Sequence, residues 1–139
     1  MNVKDTEIKG ILERYKKIAV YGLSPDADKP SHYVPLHMRD HGWEVVGTYP
    51  KAHSASGLKI YPSLAAVPAD FRKFVDVFRS SDRIPQVVDE ILSVGGVEIL
   101  FLQLGISHPE AEARAEAAGI KVISNRCLII EHRRWFGHE

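Results

Sequence analysis

The stretch IAVYGLSPDADKPS, residues 18–31, decides how the rest of the chain is interpreted. A short apolar run ends on Gly22, a polar loop follows, and Ser31 precedes an amphipathic segment. This is the pattern of a strand, a loop and the first turn of a helix. Because that turn has unpaired backbone N–H groups and the positive end of the helix dipole, a phosphate can bind there, and Gly22 lets the backbone come close to it.

The loop departs from two familiar phosphate-binding patterns. The dinucleotide fingerprint has three spaced glycines, but Ser24 and Ala27 occupy the second and third positions here. The Gly-Lys-Ser/Thr triplet of a P-loop does not occur either. The loop alone is therefore compatible with a phosphate ligand or with a purely structural turn.

Composition limits the class of protein. A chain of 139 residues is long enough for one domain with a core, so we expect residues 1–139 to form a single domain. Lysine plus arginine equals aspartate plus glutamate at 18 each, which argues against a nucleic-acid or membrane partner. The lone Cys127, and the absence of any signal-peptide or transmembrane stretch, lead us to expect a cytoplasmic protein.

Predicted helices and strands alternate along the whole chain. We expect an α/β domain with a Rossmann-like, doubly wound sheet of about five parallel strands and helices on both faces. Residues 97–104 form the most apolar strand and are therefore predicted to be central. The predicted strands are 18–21, 43–49, 74–79, 97–104 and 121–125. The first predicted helix, 5–16, is capped by Asp5 or Thr6 and packs on the sheet, and the second, 31–41, is capped by Ser31. The remaining predictions are a helical turn from Ile60, a helix from Ser81 or Asp82 to Gly95, a helix from Ser107 or His108 to Ala118, and a helix or turn over 127–136.

The loops that follow the strands are the candidate ligand site. In a doubly wound sheet, ligands bind at the carboxyl ends of the strands. Lys51 follows the second strand, where a nicotinamide dinucleotide site has an acidic residue, and it suits a phosphorylated ribose. Lys51 and Arg79 are either phosphate contacts or solvated charges, and Gln103 and Asn125 bond either ligand or backbone. The candidates at these ends are Gly22, Ser24, Pro25, Lys29, Ser31, Pro50, Lys51, Phe78, Arg79, Gln103, Leu104 and Asn125.

Several segments together resemble a known family. They are VYGLSP (20–25) with KPS (29–31), YPSL (61–64), DVFR (76–79), LQLGI (102–106), and NRCL (125–128) with IEHR (130–133). In order and spacing they resemble the CoA-binding-domain family of small bacterial Rossmann proteins, which is similar to the N-terminal domain of the succinyl-CoA synthetase alpha subunit. The resemblance implies that coenzyme A is bound by Ser24, Pro25, Lys51, Phe78, Arg79, Leu102, Gln103 and Leu104.

Two departures from the synthetase bear on activity. Its first loop has glycine and lysine where this chain has Pro25 and Asp26, and its phosphohistidine domain has no counterpart in this sequence. We therefore expect a non-enzymatic module that binds CoA or an acyl-CoA at the carboxyl edge of the sheet; a protein partner stays open. The alternatives are a component of a CoA-dependent transferase or ligase that acts with a separate partner, and an NAD(P)-binding oxidoreductase without the glycine fingerprint.

Two other features have an ordinary and a functional interpretation. His37 and His41 are four residues apart, as in a zinc pair, but Met38 replaces the usual glutamate and no third ligand is indicated. We expect a surface pair and no metal site. Cys127 follows Arg126 and is either a thiol of lowered pKa that forms mixed disulfides with CoA, or core packing.

Overall fold

A parallel sheet forms the middle layer of the computed structural model, which describes residues 4–51 and 54–136. The strand order is β3-β4-β2-β1-β5-β6-β7, and the short β3 is antiparallel to β4 while the other six strands are parallel. The chain runs from β1 outward to β4 and returns beside β1 as β5, so the order switches between β1 and β5. The strands are β1 Lys17–Tyr21, β2 Glu44–Thr48, β3 Ser54–Ala55, β4 Leu58–Tyr61, β5 Phe74–Val77, β6 Ile99–Leu102 and β7 Lys121–Ile123.

Helices cover both faces of the sheet. Alternate side chains of a strand point to opposite faces, so Phe74 packs in a core with α1, α2 and α5, whereas Val75 packs in a second core with α3 and α4. The predicted α/β class with helices on both faces is confirmed, with six parallel strands rather than about five. The helices are α1 Asp5–Arg14, α2 Pro30–Asp40, α3 Ile84–Val94, α4 Pro109–Ala117 and α5 Leu128–Trp135, with short 3-10 helices at Leu64–Ala66 and Ser81–Arg83.

The additional parallel strand is β4. The sequence predicts a loop through residue 57 and a helical turn from Ile60, but Leu58–Tyr61 is a strand and the 3-10 turn begins at Leu64. Ser56 and Gly57, at φ +50° and +82°, turn the chain from β3 into β4. Ile60 then pairs with Gly47 of β2. The pairing that makes this segment a strand is therefore tertiary.

The prediction that the most apolar strand is central is wrong. β6 lies between β5 and the edge strand β7. Its four residues are all buried, because helices of both layers cover it. A continuous apolar run thus indicates that helices cover both faces of the strand. It does not indicate the position of the strand in the sheet.

Three predicted helix caps are also wrong. Arg83 precedes α3, and Ser81 and Asp82 lie in the 3-10 helix before it. Lys4 precedes α1, so Asp5 and Thr6 lie inside the helix. Lys29 precedes α2, and Ser31 is its second residue, because Pro30 has the fixed φ that suits a first helical position. The cap of α4 is confirmed: the His108 Nδ1 accepts a hydrogen bond from the Ala111 N–H at 3.2 Å.

The helices are short. The longest described ones have 11 residues. Within residues 4–51 and 54–136, none has the length and apolar character that a membrane span requires.

Candidate functional site

Four neighbouring cavities lie along the carboxyl edge of the sheet. They have volumes of about 540, 330, 300 and 130 Å³. Each one has Phe78 or Arg79, the residues that follow β5, in its wall. We refer to the four cavities together as the edge cleft. It lies at the switch in strand order, which is where ligands of open α/β sheets bind.

Arg79 is the main cationic group of the edge cleft. It is half-buried, and its guanidinium carbon lies 5.9 Å from the centre of the Tyr21 ring. The Tyr21 hydroxyl donates to Glu90 at 2.5 Å, and burial, together with this bond, raises the pKa of Tyr21 far above its usual value. Among the described residues Arg79 forms no ion pair. Its charge is therefore available to an anionic ligand.

The turn after β1 is held tightly between two strands. Gly22 has φ +89°, and a Cβ on it would lie 2.9 Å from the Phe78 carbonyl oxygen, so a side chain does not fit there. The N–H groups of Gly22 and Leu23 both donate to the Thr48 carbonyl, at 3.0 and 3.1 Å. A Cβ on Gly47 would lie 2.6 Å from the Leu23 Cβ. The first loop therefore begins from a rigid position.

The rest of the first loop is bonded internally. Ser24 is buried, and its hydroxyl accepts from the Asp26 N–H at 3.0 Å. The buried His32 donates from Nδ1 to the Ser24 carbonyl at 2.6 Å, and its Nε2 lies 2.8 Å from the Ser56 hydroxyl. One side chain of α2 thus connects the loop to the β3–β4 turn. Ser24 contributes to the shape of the loop, and Pro25 beside it is exposed.

The structure brings most of the sequence-predicted residues together at the edge cleft. Lys29 and Ser31 line the 330 Å³ cavity with Phe78 and Arg79, and Pro50 lines the 130 Å³ cavity. The cavity of about 300 Å³ is lined by eight residues, which are Pro30, Tyr33, Val34, Phe78, Gln103, Leu104, Ile106 and Cys127.

Other predicted residues lie outside the walls of the cleft. Lys51 is exposed and lines none of the four cavities. Leu102 is fully buried in the core beside α3 and α4. Asn125, at φ +59°, accepts a hydrogen bond from the Gly105 N–H at 2.7 Å, so its side chain connects two loops.

Sequence reasoning missed a buried carboxyl group beneath the cleft. Asp76 of β5 is fully buried, and Gln103 donates from Nε2 to its Oδ1 at 2.5 Å. Gln103 also accepts from the Leu128 N–H at 3.4 Å, at the start of α5. Burial raises the pKa of Asp76 to about 7. The available signal was an aspartate in the middle of the apolar run FVDVF, residues 74–78.

The predicted histidine pair is part of a larger cluster. The His132 Nδ1 of α5 lies 3.2 Å from the His37 Nε2, and the rings of His37 and His41 are 4.2 Å apart. His41 is exposed and His37 half-buried, so the predicted pair lies at the surface, and the buried His132 lies beside it. Burial, followed by the neighbouring histidines, lowers the pKa of His132 to about 4. In the described part of the chain, no three His, Cys, Asp or Glu side chains are arranged to hold a metal ion, and the absence of a metal site stays a prediction.

A comparison with protein families bears directly on this cleft. The family described as CoA binding domain matches residues 16–133. The chain belongs to the CoA-binding domain family. The match spans every strand of the sheet and all residues of the edge cleft, and the resemblance inferred from the sequence is confirmed.

Other members of the CoA-binding domain family share the fold over nearly the whole chain. An uncharacterized protein of Bacillus subtilis (strain 168), YneT, is 36% identical over 133 residues, which are 94% of this chain and 96% of YneT. The Thermus thermophilus protein known as cell-free ID.343 superposes with a TM-score of 0.87 at 35% identity, covering 96% of this chain and 100% of that one. A hypothetical protein of Pyrococcus horikoshii OT3 gives 0.88 at 32% identity, covering 97% and 94%.

Proposed function

We propose that this protein binds coenzyme A in the edge cleft, with Arg79 on the diphosphate. The observation that carries the proposal is a half-buried guanidinium, without an ion-pair partner among the described residues, in the wall of three adjoining cavities at the switch in strand order. Membership of the CoA-binding domain family supports this ligand. A charge-assisted contact between arginine and phosphate supplies both affinity and orientation.

The remaining parts of the ligand follow from the walls of the cleft. Lys29 and the first turn of α2 border the 330 Å³ cavity with Arg79, so a diphosphate there meets two cations and the positive end of a helix dipole. Tyr49 and Pro50 line the neighbouring 130 Å³ cavity. We assign the adenosine to that end, with Lys51 on the ribose phosphate.

The proposed role is binding without catalysis. Among the described residues that line the edge cleft there is no histidine, and its one carboxylate, Glu90, already accepts from Tyr21 and from the Leu64 N–H. A nucleophile such as Cys127 therefore has no base beside it. We further propose a cytoplasmic setting, which suits a chain with one free cysteine.

Calorimetric titration of wild type and Arg79→Ala with CoA tests the site. The variant should bind CoA roughly ten- to more than a hundredfold more weakly, because a charge-assisted bond contributes about 1.5–3 kcal/mol. Its melting temperature should stay close to that of wild type, since Arg79 has no ion-pair partner to lose in the described part of the chain. Lys73→Ala is the matched control, because this exposed lysine precedes β5 at the opposite edge of the sheet.

The same titration with dephospho-CoA examines the adenosine end. Lys51→Ala should remove any preference for CoA over dephospho-CoA, whereas Arg79→Ala should weaken both ligands alike. Equal CoA affinities for wild type and Arg79→Ala would contradict the site. Tighter binding of NAD than of CoA would contradict the ligand.

A further inference from the structure

One end of the edge cleft has a different chemistry from the rest. We call the 300 Å³ cavity the apolar groove; besides Phe78 and Ile106, its walls include Tyr33, Leu104 and Cys127. Leu104 is 63% exposed and Tyr33 is 48% exposed, and both line this one groove. Neighbouring apolar side chains that stay in contact with water mark a surface that a ligand or partner covers.

Of the polar side chains in the apolar groove, Gln103 is already bonded within the protein, which leaves the Tyr33 hydroxyl and the Cys127 thiol. Gln103 donates to Asp76 and accepts from the Leu128 N–H, so both ends of its amide are used. The pantetheine arm of CoA contains two amide groups, and these lose stability when buried without hydrogen-bond partners. The side chains of the groove therefore suit a hydrocarbon better than pantetheine.

The adjoining cavities offer the polar groups that pantetheine needs. Ser80, Arg83 and Gln86 line the 540 Å³ cavity beside Arg79. The Lys29 cavity shares Arg79 and Ser80 with this cavity and Pro30 and Ile106 with the apolar groove, so it lies between the two. A ligand whose anionic and polar parts lie beside Arg79 and Ser80, and whose apolar end extends past the Lys29 cavity, matches these surfaces.

We propose that the ligand is an acyl-CoA with an aliphatic acyl group, and that the acyl chain lies in the apolar groove. This inference rests on the proposed binding of CoA. It adds the class of acyl group and the residues that select it, chiefly Leu104 and Tyr33.

Titration calorimetry with CoA, acetyl-CoA, butanoyl-CoA and octanoyl-CoA tests the inference. Each fully buried methylene strengthens binding by up to about fourfold. The groove is open to solvent, so a smaller gain is expected, of roughly tenfold or more between acetyl-CoA and octanoyl-CoA. Equal affinities for CoA and octanoyl-CoA would overturn the acyl inference and leave CoA binding intact. If none of the four ligands binds, the proposed function fails as well.

Variants locate the acyl chain. Leu104→Gln keeps the size and neutrality of the side chain, and, measured relative to its own affinity for CoA, it should lose the gain with chain length. Leu92→Gln is the matched control, because Leu92 is 40% exposed on α3, in the other helical layer. If Leu104→Gln does not fold by circular dichroism, Tyr33→Ser serves the same purpose. A gain in affinity with chain length that survives in the variant would overturn the groove assignment. A wild-type dimer that dissociates in the variant would also overturn it, because the groove would then be covered by a second copy of the chain.

Discussion

At the scale of single residues, the buried Asp76 holds the side chain of Gln103 in the wall of the edge cleft. It is a fully buried carboxyl group whose Oδ2 has no hydrogen-bond partner among the described residues. Gln103 donates to its other oxygen and also borders the apolar groove. Burial without a compensating cation favours the neutral acid, and the pKa of about 7 reflects this.

Asp76 should therefore make the stability depend on pH between about 4 and 7. The folded state holds the proton over this range while the unfolded state releases it, so the contribution of Asp76 is fully present below about pH 4 and is lost as the pH rises towards 7. The loss amounts to at most about 4 kcal/mol. Urea denaturation of wild type and Asp76→Asn from pH 4 to pH 8 measures it: the variant should lack this fall, and parallel curves would refute the assignment.

At the scale of single elements, the first loop depends on a glycine in β2. Gly47 lies directly against Leu23, the second residue of the loop, at the position where β2 pairs with β1 and β4. The close contact fixes where the loop leaves the sheet. The position of Lys29 and of the first turn of α2 follows from this contact.

Gly47→Ala should both destabilise the protein and weaken CoA binding. The new methyl group forces Leu23 to move, and such overpacking typically costs about 1–3 kcal/mol. Gly10→Ala is the control: a Cβ there meets nothing within 4 Å, so this change in α1 should stabilise by about 0.5–1 kcal/mol. Thermal denaturation and CoA titration measure the two effects, and an unchanged melting temperature in Gly47→Ala would contradict the close packing.

The packing of α2 against α5 should make the free energy of unfolding depend on pH in a second way. His132 lies against His37 and His41, and burial lowers its pKa to about 4. A histidine with a depressed folded pKa stays neutral in the fold, so the stability it supports is present above about pH 6.5 and is lost as the pH falls towards 4.

His132→Phe should flatten this acidic loss. Phenylalanine retains an aromatic ring beside His37 and Phe136 but cannot be protonated. Asp76 acts in the opposite direction over the same pH range, so the comparison is made with Asp76→Asn in place. Denaturant unfolding at pH 7.5 and pH 5 should show a smaller difference in Asp76→Asn/His132→Phe than in Asp76→Asn. An equal loss in both would mean that His132 does not titrate in the way its burial implies.

At the scale of the whole molecule, the doubly wound sheet collects cations at one edge of a chain with no net charge. Lysine and arginine together equal aspartate and glutamate at 18 each. Even so, Lys29, Arg79 and Arg83 all line the edge cleft. An anionic ligand is therefore attracted by the local arrangement of the strand ends, without a global field.

From the residues that line the same cleft, we expect the purified protein to form no acyl-CoA from CoA, a nucleoside triphosphate and small carboxylic acids. No histidine among the described residues lines the cleft to carry a phosphoryl group. The measurement is thioester formation against a heat-killed control. Product above that control, without an added partner protein, would contradict the non-enzymatic role.

Features that arise from neighbours in the chain are predictable from the sequence. Local patterns predicted the strand, loop and helix over residues 18–31 and the end of α3 at Gly95, and they offered His108 or Ser107 as the cap of α4. The α/β class follows from the alternation of these elements. Once parallel strands are expected, their carboxyl ends define the edge of the sheet at which Arg79 and Gln103 both lie.

Features that depend on contacts between distant residues are visible only in the tertiary structure. Gln103 and Asp76 are 27 positions apart, and His132 and His37 are 95 apart. Neither pairing leaves a trace in hydrophobic periodicity, because periodicity records which face of an element is buried and not what covers it. For the same reason the sequence predicted a loop and a turn where β4 pairs with β2. It also predicted a central position for β6, which lies next to the edge strand.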